Sequence, residues 1–187
     1  MNSLPYDIQF RLVEDCKAGN RKAQRELYGM YAKAMYNVCY RMMNDAEEAN
    51  DMLQEAFIDA FTRLDSFRQE STFGVWLKKI VINKCINAKQ RRKIEWISTD
   101  NTEIDDKIDD QDIINEAELK ISVERVKMAM QQLPEGGRVI FSLYLLEGYD
   151  HTEIAQILNI SESTSKTQFM RARKKVKDLL LQTPQVY

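Results

Sequence analysis

The chain has 187 residues, 44% hydrophobic and 30% charged, with six glycines, three prolines and a net charge of −2. That length predicts one domain or two small ones, and so few helix breakers leave room for long helices and exclude collagen-like and low-complexity classes. A single histidine, His151, and three scattered cysteines, Cys16, Cys39 and Cys85, exclude a histidine metal cluster, a CxxC pair and a disulfide framework. No metal and no cofactor are therefore expected. No apolar run approaches the roughly 18 residues of a membrane span. The segment from Met1 to Asp7 lacks a basic stretch followed by an apolar one. The expectations are no membrane insertion, no secretory leader and a reducing, cytoplasmic setting.

The first block reads as helical. Leu27, Tyr31, Ala34, Met35, Val38, Cys39 and Met42 recur at three- and four-residue steps. A second helix is predicted from about Asp45 to Leu64. Asp45 suits its N-cap, and Glu47 and Glu48 suit the positive end of the helix dipole. Its apolar face is Ala49, Met52, Leu53, Ala56, Phe57, Ala60, Phe61 and Leu64. The opposite face carries Asp51, Gln54, Glu55 and Ile58. A third helix is predicted from Ser71 or Thr72, burying Phe73, Trp76, Leu77 and Ile80 and exposing Lys78, Lys79, Asn83, Asn87, Lys89, Arg91 and Arg92.

Charge then changes along the chain. Residues 1–92 carry a net +3, residues 93–120 a net −7 and residues 121–187 a net +2. The run STDNTEIDDKIDDQD, Ser98 to Asp112, is self-repelling and poor in apolar residues, as a linker is. Beyond it, Leu119 to Met130 is amphipathic, Leu133-Pro134 breaks the pattern, and Val139 to Leu146 forms a helix ended by Gly148. Asp150 and Glu153 have capping-box spacing before a short helix with Ile154, Ala155 and Leu158. Asn159-Ile160 makes a turn, and Ser161 caps a longer helix. That helix buries Ser165, Phe169, Ala172 and Val176, and shows Ser163, Lys166, Thr167, Met170, Arg171 and Lys174 on its other face. A short helix, a tight turn and a longer polar-faced helix form a helix-turn-helix, whose second helix fits the major groove. The expected fold is all-α: a helical domain over 1–92, a flexible acidic linker over 93–115, and a second helical domain over 116–187 that contains the helix-turn-helix.

These residues resemble the extracytoplasmic-function (ECF) sigma factors of bacterial RNA polymerase. The first-block match runs through Asp45-Ala46-Glu47-Glu48-Ala49-Asn50-Asp51-Met52-Leu53-Gln54-Glu55-Ala56-Phe57. It continues in Phe67-Arg68-Gln69-Glu70-Ser71-Thr72-Phe73 and Trp76-Leu77-Lys78-Lys79-Ile80. The second-block match is Leu133-Pro134, Glu147-Gly148-Tyr149, Glu153-Ile154-Ala155, Ile160-Ser161, Thr164 and Arg171-Ala172-Arg173. A helix-turn-helix alone is shared with many repressors, whereas these motifs in this order are specific.

The resemblance implies an alternative sigma factor that binds core polymerase, directs it to promoters and performs no covalent chemistry. It implies that Asp51, Gln54 and Glu55, with Ile58 as an apolar anchor, meet the clamp helices of the largest polymerase subunit. It implies that the loop with Arg68, Gln69, Ser71 and Thr72 captures an unstacked −10 base. Lys79, Asn83 and Asn87, with Arg91 and Arg92, would flank the melted region. Ser163, Thr164, Lys166, Thr167, Met170, Arg171 and Lys174 would read the −35 element. The implied partners are core polymerase, including the flap of its second-largest subunit, promoter DNA and an anti-sigma factor. Trp76 keeps core spacing and reads as structural rather than as a stacking platform. Four residues depart from the family pattern: Ser165 replaces an apolar residue and needs a partner for its hydroxyl, Gln168 replaces a basic one, and Gly136-Gly137 loosens a helix start. The competing reading is a self-sufficient repressor or activator that binds duplex DNA without polymerase; an enzyme is a distant third.

Overall fold

The computed structural model describes residues 5–92 and 123–182, with side chains from residue 9 onward in the first helix. The expected linker over 93–115 and the start of the helix expected at Leu119 lie outside the described residues. Contacts divide the chain into two compact units, Met1–Lys93 and Ile94–Tyr187. The described residues form eight α-helices and one 3-10 turn, with no strand among them.

In the first unit α1 spans Pro5–Lys17, α2 Arg21–Met43, α3 Ala46–Thr62 and α4 Phe73–Arg91, and a 3-10 turn occupies Leu64–Ser66. The connections are short because the helix ends are satisfied locally. The Asn20 side chain accepts from the backbone N–H of Lys22 and Ala23 at 3.0 and 3.3 Å, which starts α2. Asn44, in the left-handed conformation at φ 60°, ends it. Asp45 then accepts from the Glu48 N–H at 2.9 Å, the cap the sequence predicts. Helix α2 packs on α1, α3 and α4, and α3 packs on α4. The core joins Leu27, Val38, Cys39 and Met42 of α2 to Leu53, Ala56 and Phe57 of α3 and to Leu77, Val81, Ile82 and Cys85 of α4.

Several expected positions differ. Ala34 is exposed, and Trp76 and Ile80 are half-buried rather than central. Lys89, expected on the solvent face of α4, is fully buried. The reason is helical period. Position 89 lies one turn after Cys85 and continues the stripe Ile82, Cys85, Ile86, so backbone geometry carries its stem inward whatever its polarity. The three thiols are buried. Burial first, and Asp15 second, push Cys16 up to about 11.

The second unit contains α5 Val123–Gln131, α6 Glu135–Leu145, α7 His151–Leu158 and α8 Glu162–Gln182. Ala129, Met130 and Leu133 pack with Phe141 of α6 and with Ala172 and Val176 of α8. Pro134 is the N-cap of α6, and Arg138 is buried one turn later, donating to the Leu133 carbonyl at 3.0 Å. Desolvation pulls that guanidinium below its ordinary value, with Glu135 opposing. Gly136 and Gly137 are both buried. A Cβ at Gly137 would meet Ala172 at 3.6 Å, an ordinary contact, so close packing does not demand the glycine there.

Candidate polymerase and nucleic-acid surfaces

The amphipathic pattern of α3 turns its apolar stripe into the first unit and leaves Asp51, Gln54, Glu55 and Ile58 exposed together. Ile58 is 65% exposed, an isolated apolar side chain among polar neighbours. Lys84 of α4 bridges Glu55 at 3.3 Å and Asp59 at 3.0 Å. The hydrogen bond to Asp59, reinforced by Glu55, raises its pKa above the ordinary value despite partial burial. Part of the acidic face is thus already paired within the chain at Glu55.

The loop after α3 is backed by aromatic rings. Phe67 is buried, 5.1 Å from Trp76 and 5.9 Å from Phe73 between ring centroids, and Tyr31 lies 5.3 Å from Phe73. Trp76 is therefore engaged in packing the loop's base. Gly74 makes room for Tyr31: a Cβ there would stand 2.7 Å from the ring. Arg68, Ser71 and Thr72 are exposed and Gln69 is half-buried. The Thr72 hydroxyl also caps α4 by accepting from the Val75 N–H at 3.4 Å. Gln69 adopts φ 61°, a left-handed conformation that side chains disfavour, and its Nε2 donates to Glu14 of α1 at 2.9 Å. A shallow, solvent-open depression lies here, lined by Gln9, Phe10 and Val13 of α1 and by Phe67, Gln69, Ser71, Thr72 and Phe73. The contribution of α1 to this depression is absent from the sequence reading, since no local spacing reports a contact across 55 residues. Along α4, Lys79, Asn83 and Asn87 are exposed at four-residue steps and share one face. Arg92 reaches Glu48 at 2.6 Å.

In the second unit the capping box is complete: Asp150 accepts from the Glu153 N–H at 2.7 Å, and Glu153 accepts from the Asp150 N–H at 2.9 Å. Asn159, at φ 55°, ends α7 and turns the chain. The Ser161 hydroxyl then accepts from the Thr164 N–H at 3.0 Å and meets the Thr164 hydroxyl at 2.7 Å. The buried Ser165 hydroxyl finds its partner in Nδ1 of His151, 2.9 Å away. His151 stacks on Tyr144 at 4.4 Å and meets Phe169 edge-on at 5.6 Å, which ties α7 to α8. Burial first, then Lys166, lowers its pKa below 6.5, against Glu162 and Asp150.

On the outer side of α8, Ser163, Lys166 and Lys174 are exposed, and Thr164, Thr167, Met170 and Arg171 are half-buried. Lys166 pairs with Glu162 at 2.6 Å. Gln168 is buried and belongs to the packed face.

The helix-turn-helix of the second unit is an element of DNA-binding transcription proteins. The family models for Sigma-70 region 2 and Sigma-70 region 4 match residues 27–94 and 123–176. The RNA polymerase sigma-H factor of Pseudomonas aeruginosa is 32% identical over 174 residues, covering 89% of this chain and 90% of that protein. The ECF RNA polymerase sigma-E factor of Escherichia coli K12 is 31% identical over 175 residues, covering 88% and 90%. The fold is shared with the sigma factor RpoE of Bartonella quintana, solved with the anti-sigma factor NepR, at TM-score 0.53 and 20% identity over 86% of this chain and 98% of that one. The chain belongs to the ECF sigma factors of RNA polymerase and acts in promoter-specific transcription initiation.

Proposed function

We propose that the two units divide promoter recognition, with residues 1–92 serving polymerase binding and the −10 element and residues 116–187 serving the −35 element. Asp51, Gln54, Glu55 and Ile58 dock on the clamp helices of the largest subunit, as an apolar anchor within a polar rim. The second unit also meets the flap of the second-largest subunit. Arg68, Gln69, Ser71 and Thr72 hold an unstacked −10 base, and Lys79, Asn83 and Asn87 follow the adjoining strand. Ser163, Thr164, Lys166, Thr167, Met170, Arg171 and Lys174 face the −35 major groove. Lys166 lies near the N-terminus of α8, where side chains reach base edges, and Arg171 lies further along, where phosphate contact is favoured. Residues 93–115 tether two individually weak binders and so raise their effective concentration for one another. An anti-sigma factor is the proposed antagonist, a reading supported by the fold relative from Bartonella quintana, a sigma factor solved in complex with the anti-sigma factor NepR. The protein acts by recognition rather than catalysis.

The observation that carries this reading is the exposed polar loop held over Phe67, Phe73 and Trp76 and opening on a shallow depression. An exposed polar loop suits an unstacked base, whose edges offer hydrogen-bond donors and acceptors. Permanganate footprinting of promoter complexes made with an alanine variant at Arg68, Gln69 and Ser71 tests it. Reduced thymine reactivity near the start site with intact polymerase binding is the expected result. Unchanged reactivity and unchanged selectivity among −10 variants would remove the loop from this role.

A further inference from the structure

Helix α1 precedes the segment matched as Sigma-70 region 2, which begins at residue 27. It nevertheless supplies Gln9, Phe10 and Val13 to the depression beside the loop. Phe10 is 47% exposed, whereas Leu12, Val13 and Cys16 of the same helix are buried. An aromatic ring left in solvent at a surface depression can take a base on its face.

Glu14 adds a chemical constraint. An ionised carboxylate only accepts hydrogen bonds. The amide of Gln69 must therefore turn its Nε2 toward Glu14, as observed at 2.9 Å. That leaves its carbonyl Oε1 to face other partners. The same Glu14 oxygen is held by the Lys17 ammonium at 3.0 Å. Gln69 is also kept at φ 61°, and such strain persists where surrounding contacts over-determine it.

We propose that α1 is part of the −10 site: Glu14 is a positioning residue that orients Gln69 as a hydrogen-bond acceptor toward the captured base, and Phe10 is an apolar wall of the depression. The inference rests on the reading of the loop as the −10 base site. An acceptor that meets the 6- or 4-position of the base favours the amino groups N6 of adenine and N4 of cytosine over the carbonyls O6 of guanine and O4 of thymine.

The test uses holoenzyme assembled from the full chain and purified core polymerase. Open-complex formation is compared on templates carrying each of the four bases at every −10 position. The variants are Glu14→Gln, Glu14→Lys, Phe10→Ala and, as a loop control, Ser71→Ala, each checked for thermal midpoint and core binding. Glu14→Gln can donate or accept, so both amide orientations of Gln69 become available and the base preference narrows. Glu14→Lys only donates, so the amide turns over and the preference inverts from adenine and cytosine to guanine and thymine. A merely structural role would lower all templates alike. Phe10→Ala is expected to cost about tenfold in open-complex formation, the scale of one stacked base. An unchanged ranking in both Glu14 variants with wild-type activity of Phe10→Ala, while Ser71→Ala alters the ranking, would overturn the role of α1 and leave the loop reading standing. An unchanged ranking in all four variants would overturn both.

Discussion

Replacing Ile58 separates binding from folding. The side chain is 65% exposed on α3. Full burial of an isoleucine stabilises by about 1.5–3 kcal/mol, so covering the exposed part at an interface contributes about 1–2 kcal/mol. Ile58→Ala should then weaken core polymerase binding by about 5- to 30-fold. The fold should not suffer, because alanine has the higher helix propensity by a few tenths of a kcal/mol at an exposed helical position. Asp51→Lys should act in the same direction through charge. Glu55→Lys is less clean, because Glu55 already pairs with Lys84 at 3.3 Å and its reversal also disturbs that contact. Fluorescence anisotropy of labelled protein titrated with core polymerase reads the affinity, and thermal melts read the stability. Wild-type affinity in both Ile58→Ala and Asp51→Lys would refute the assignment of this face.

Two glycines in helices should respond with opposite signs. Gly29→Ala meets nothing within 4 Å and should stabilise by about 0.5–1 kcal/mol, whereas Gly74→Ala would place a Cβ 2.7 Å from Tyr31 and should destabilise by about 1 kcal/mol net. Denaturant melts of the two variants check this, and equal shifts would contradict the packing described. His151 has a depressed pKa in the folded chain, so its neutral form is the one the fold favours. Its contribution is complete above 6.5 and is lost as pH falls from there through the depressed value, so melting of the second unit should weaken over that acid range. His151→Gln should flatten this part of the stability–pH curve, measured by circular dichroism, and an unaltered slope would exclude His151 as its source.

Much of this was legible because local rules and the tertiary structure agree. The Asp45 cap, the apolar stripe of α3 and the Asp150–Glu153 box are short-range features, and each is present at its predicted residues. The failures have physical causes as well. Charge predicts Lys89 in solvent, whereas its helical position follows the buried stripe. Ser165 looked anomalous because its partner, His151, sits 14 residues away on another helix. The depression was invisible for the same reason, since Glu14 and Gln69 meet only when α1 folds onto the loop. Trp76 illustrates the middle case: spacing identified a packing residue, but its partners Phe67 and Phe73 and its partial exposure required coordinates.

The most direct test is multi-round transcription in vitro with purified core polymerase, using promoters that retain or lack matched −10 and −35 elements. Core polymerase alone should yield no specific transcript. Added protein should produce one defined start, lost when either element is scrambled. The Lys166→Ala variant should flatten the response to single-base −35 changes, since one good base contact contributes about 1–3 kcal/mol of discrimination. A protein that binds the promoter duplex tightly by itself, and leaves transcription by core polymerase unchanged, would contradict the account.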